Sequence, residues 1–103
     1  MNCDKAFLAD LINYADRAVV SRELLRKQKS TLTLFAFDKG QGLSEHTAPF
    51  DAFVYIIEGE AQITVSNKPI ALKAGETIVM PANKSHSITA LGRFKMLLVM
   101  LRE

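Results

Sequence analysis

Apolar side chains recur along most of this chain with a period of two, in short runs separated by glycine, proline and small polar residues. Runs of that kind read as β-strands between turns, and many of them at close spacing predict an all-β sandwich or barrel. Strands are expected over about 18–25, 31–38, 52–57, 61–65, 69–72, 77–80, a segment through His86, and 94–101. In 31–38, TLTLFAFD, Leu32, Leu34 and Ala36 point one way, while Thr31, Thr33, Phe35 and Phe37 point the other. Both faces of that run are largely apolar, as they are in AFVYII and FKMLLVML, which is more than one barrel interior needs. The first residues break the pattern. There Phe7, Leu8, Leu11 and Ile12 recur at helical spacing after Asp4, a candidate cap, and predict a short α-helix lying on the barrel.

Composition narrows the possibilities. A chain of 103 residues, half of them hydrophobic, is expected to be one folded domain, here a helical segment over 1–16 and a barrel over 17–103. A net charge of +2 argues against binding nucleic acid through phosphate neutralisation. The basic residues Arg17, Arg22, Arg26, Lys27 and Lys29, opposed only by Glu23, read as a solvated strand and turn. No apolar run approaches the ~20 residues of a membrane span, so no membrane partner is expected. The first residues lack the basic flank and long apolar stretch of a secretion signal, and the single Cys3 has no internal partner. A cytoplasmic location is the expectation.

The candidate chemistry sits in two stretches that contain both histidines. The first, residues 42–59, is GLSEHTAPFDAFVYIIEG, and the second, residues 75–90, is GETIVMPANKSHSITA. Together they resemble the two motifs of the cupin family. Gly75, Pro81, His86 and Ala90 keep every spacing of the second motif; His46, Ala48, Ala52 and Gly59 follow the first, with only three residues between Gly42 and His46. The resemblance extends over about 17–101 and implies an antiparallel jelly-roll barrel. It also implies that His46 and His86 occupy metal-ligand positions, with alanine at 48, 52 and 90 where the family carries its other ligands.

Two imidazoles leave a divalent ion short of the three protein donors that even an open catalytic site normally has. Asp51, Glu45, Met80 and Gln41 are the nearby candidates for a third. Two readings stay open: a weakly held zinc, nickel, iron or manganese ion, or no metal at all. The alanines imply an apolar pocket, with Phe50, Phe53, Tyr55, Met80, Phe94, Met96 and Met100 available around it. Ordinary core packing is the competing role for each of those side chains. The leading expectation is a binding protein for a small organic ligand, with His46, His86, Ala48, Ala52, Met80 and Ala90 at the site. A cupin enzyme whose substrate completes a metal sphere competes with it, as does a non-catalytic scaffold or sensory module. The surplus apolar faces point to a homodimer.

Overall fold

The computed structural model describes residues 4–103, and Cys3 lies outside them. Its strands are β1 (Val19–Arg26), β2 (Ser30–Phe37), β3 (Gly42–His46), β4 (Asp51–Glu58), β5 (Glu60–Val65), β6 (Lys68–Lys73), β7 (Thr77–Met80), β8 (His86–Ala90) and β9 (Phe94–Leu101). One sheet runs β1-β2-β9-β4-β7 and the other β3-β8-β5-β6. All their pairings are antiparallel. The architecture is the expected jelly roll.

Period-two patterning decides which side chains fill it. Ala52, Val54 and Ile56 of β4, with Met96 of the neighbouring β9, face Ile63 of β5 and Ile88 of β8 in one core, all of them buried. Phe37 and Phe94, register partners on β2 and β9, stack with centroids 4.5 Å apart within that core. Each such aliphatic or aromatic burial contributes about 1.5–3 kcal/mol. The opposite face of β2 is also buried, because Leu34 and Ala36 pack with Ile12 beneath the N-terminal segment. Ile57, on the outward phase of β4, joins the same layer. The chain's own start therefore covers part of the apolar outer face.

That segment is not the α-helix expected from its spacing. It makes a single 3-10 turn, Leu8–Leu11, which starts from Phe7 with no side-chain cap and ends at an extended Ile12. The three-residue repeat of a 3-10 turn places Leu8 and Leu11 on one face, and both pack inward. Phe7 is left 81% exposed, so the i, i+4 pairing of Phe7 with Leu11 is not used. One turn is too short to be stable alone and is held by burial instead. Among the described residues, no helix is long and apolar enough to cross a membrane.

Candidate functional site

His46 ends β3 and His86 begins β8, and the ladder between the two strands pairs them directly. An irregularity between Leu43 and His46 precedes the pair. Register partners put their side chains on the same face of the sheet, so the rings meet. They sit edge to face with centroids 4.3 Å apart, and the two Nε2 atoms are 3.0 Å apart. His46 is exposed at the surface, whereas His86 is 5% exposed.

Hydrogen bonding fixes the proton arrangement of the neutral pair. The Ser44 carbonyl, 2.8 Å from His46 Nδ1, can only accept, so that nitrogen carries the hydrogen. His46 Nε2 is then a lone-pair acceptor, and His86 Nε2–H donates to it. His86 Nδ1 is left buried with no partner. Burial, and secondarily the neighbouring His46, push the His86 pKa down. The Lys84 carbonyl works the other way, favouring a proton on the ring, although it falls outside hydrogen-bonding geometry to Nδ1.

Both rings open onto a cavity of about 120 Å³ between the sheets, whose walls also include Ala48, Ala52 and Met80. Its remaining lining is apolar: Leu43, Phe50, Ile88 and Leu98, with Met96 and Met100. Alternation along β9 could have found Leu98, which shares a phase with Met96 and Met100. Three of the surrounding residues named from the sequence lie elsewhere. Phe94 is in the core against Phe37, and Phe53 and Tyr55 take the outward phase of β4.

Ala90 is the one expected site residue that the structure places away from the cavity wall. It is buried opposite Ala61 at the end of β8. It lies four residue steps along the strand from His86, about 13 Å, so motif spacing kept its place in the chain but not at the cavity.

The third-donor candidates divide similarly. Met80 lines the cavity, while Asp51, Glu45 and Gln41 do not. Asp51 Oδ1 instead accepts the Ala82 amide at 2.8 Å. Among the described residues, no group of three or more His, Cys, Asp or Glu side chains could hold a metal ion. The donor set does not fit a resident zinc, nickel, iron or manganese ion, because it lacks a third nitrogen or oxygen donor.

Known proteins give a consistent assignment. A conserved protein of unknown function from Streptococcus pyogenes is 34% identical, covering 100% of this chain and 90% of its own, with a TM-score of 0.95. A cupin superfamily protein from Desulfitobacterium hafniense is 33% identical over 100% of this chain and 94% of its own, at a TM-score of 0.94. A cupin 2 conserved barrel domain protein from Leptotrichia buccalis is 38% identical over 92% of this chain, which matches 46% of that one, at a TM-score of 0.89. Among curated proteins, none matches. The cupin domain pattern itself matches residues 33–101, spanning the paired imidazoles and most of both sheets, and the chain belongs to the cupin family.

Proposed function

We propose that this cupin binds a small organic molecule in the cavity between its sheets, with His46 and His86 as the polar anchors. The observation that carries this reading is a pair of hydrogen-bonded imidazoles set in otherwise apolar walls. Such a site suits a ligand with an apolar body and one polar group. A cavity of about 120 Å³ limits the enclosed part to roughly the size of a benzene ring or less. With His86 held neutral by burial, the group best matched is an alcohol or acid hydroxyl that inserts between the rings, accepting from His86 Nε2–H and donating to the His46 Nε2 lone pair in place of their direct bond. A screen of small aromatic and aliphatic acids and alcohols by ligand-observed NMR should yield binders. His46→Ala should weaken them at least tenfold without loss of fold, and unchanged affinity would remove His46 from the site.

The convergence of two Nε2 atoms favours a second reading, a metal-dependent cupin enzyme in which a weakly held divalent ion gains its remaining donors from substrate. Elemental analysis of untagged protein soaked with nickel, zinc, iron or manganese decides it. Failure to retain any of them counts heavily against that enzyme.

A further inference from the structure

Three of the chain's four methionines line the same cavity as both of its histidines. Cross-strand register makes the clustering specific. Met100 of β9 pairs with Ala52 of β4, and Ala52 pairs with Met80 of β7, so the two methionines flank a single methyl group in one row of the sheet. Neighbouring strands are about 4.8 Å apart, and the alanine leaves an open position between two flexible thioethers. The facing sheet, at the ~10 Å separation usual for packed sheets, presents the His46–His86 pair to that position. Met96 lies deeper along β9, in the row of Phe35 and Ile56.

The resulting donor set is two imidazole nitrogens and two thioether sulfurs, with no carboxylate in the lining. Thioethers are soft ligands that select copper(I), and imidazole also suits copper. A univalent d10 ion accepts low coordination numbers, so it has no need of the missing third nitrogen or oxygen donor. Apolar walls also penalise a divalent, strongly hydrated ion more than a univalent one. We propose that the cavity is a binding site for a soft univalent metal ion, copper(I), held by Nε2 of His46 and His86 and by the sulfurs of Met80 and Met100.

The surrounding groups suit that role. The Ser44 carbonyl holds the His46 hydrogen on Nδ1 and turns the Nε2 lone pair toward its partner, as outer-sphere acceptors do for ligating histidines. On His86 the proton must move from Nε2 to Nδ1, the ring nitrogen that makes no hydrogen bond in this structure. The ring stays neutral, and one N–H···N bond is exchanged for two metal–nitrogen bonds. Two nitrogens at about 2.0–2.1 Å from a tetrahedral ion lie about 3.3 Å apart. The observed 3.0 Å has only to widen slightly.

The site shares its cavity with the proposed organic ligand but does not rest on that reading, because metal binding is measured with no organic compound present and ligand binding with no metal present. Met80→Leu and Met100→Leu keep volume and apolarity, so they should leave folding intact while removing a sulfur donor each. Anaerobic titration at pH 7.5 against a chromophoric copper(I) chelator should show one copper(I) per wild-type chain. Each Met→Leu variant should bind at least tenfold more weakly, and zinc(II) should compete poorly. Silver(I), a redox-inert substitute, should shift the Met80 and Met100 methyl resonances of the wild-type protein, a readout that needs no variant. Absence of copper(I) binding would overturn the proposal. So would affinity indifferent to both leucine substitutions, or zinc(II) binding of equal strength.

Discussion

His86 is a titratable ring held where its charged form is disfavoured, 5% exposed and edge-on to a second imidazole. Its pKa is lowered in the folded state, so below the ordinary value of about 6.5 the unfolded chain takes up a proton that the folded chain resists. The stabilisation is complete above that pH and is lost as pH falls toward the depressed folded value. The slope for one such group is bounded at about 1.4 kcal/mol per pH unit. Urea denaturation at pH 7.5 and pH 5.0 should show wild type losing more stability than His86→Gln, which keeps an N–H donor but does not titrate in this range. A gap between the two proteins that is independent of pH would mean that His86 is not held neutral.

At the scale of elements, the turns and the N-terminal strap decide how the strands are held. Gly59, between β4 and β5, has φ +81°, and a Cβ there would collide with the backbone carbonyl of Arg93 and with Phe94. Gly59→Ala combines left-handed strain with a clash against backbone, and a loss of about 2 kcal/mol or more is expected in chemical denaturation. The strap is fastened both by burial and by charge. Ile12 is 4% exposed, Lys95 Nζ donates to the Ala9 carbonyl at 2.6 Å, and Tyr14 Oη donates to Glu58 at 2.7 Å. Arg93 reaches Asp16 and Asp38, and Asp38 is held at about 2 by the Arg17 amide and then by Arg93. Ile12→Ala should therefore cost about 2–5 kcal/mol, as for a core residue, in the same denaturation measurement. A loss below 0.5 kcal/mol would make the strap dispensable.

Elements also mark where the sequence was legible. Strand positions other than β3 followed from period-two runs, and the imidazole pairing followed from motif positions on β3 and β8. The 3-10 turn was not legible, because Leu8, Leu11 and Ile12 fit two helical repeats and only packing chose between them. Nor was the depth of Ala90, which depends on how far β8 runs past the cavity.

At the scale of the whole molecule, a continuous apolar row among the described residues remains partly uncovered. Leu25, Leu32, Val99, Phe53 and Val79 are successive register partners, a row crossing all five strands of the larger sheet on its outer face. The strap buries Leu34 and Ile57 on this face but leaves Leu25 at 41%, Phe53 at 37% and Val79 at 54% exposure. We propose that a second copy of this chain covers it. The row carries no charge, so a two-fold axis through it opposes no like charges, as a self-complementary interface requires. At about 4.8 Å between strands and 3.3 Å per residue the outer face is at most roughly 19 by 26 Å, so the contact would have to take in the strap as well to approach the ~800 Å² that each partner of a stable dimer buries. Sedimentation equilibrium should return twice the chain mass for wild type. Phe53→Lys and Val79→Lys should each return a single chain mass with the fold intact, since an unpaired ammonium would be buried at the centre of the contact. A wild-type protein that sediments as one chain would mean that the row is simply exposed, and lysine at 53 or 79 would then leave the mass unchanged.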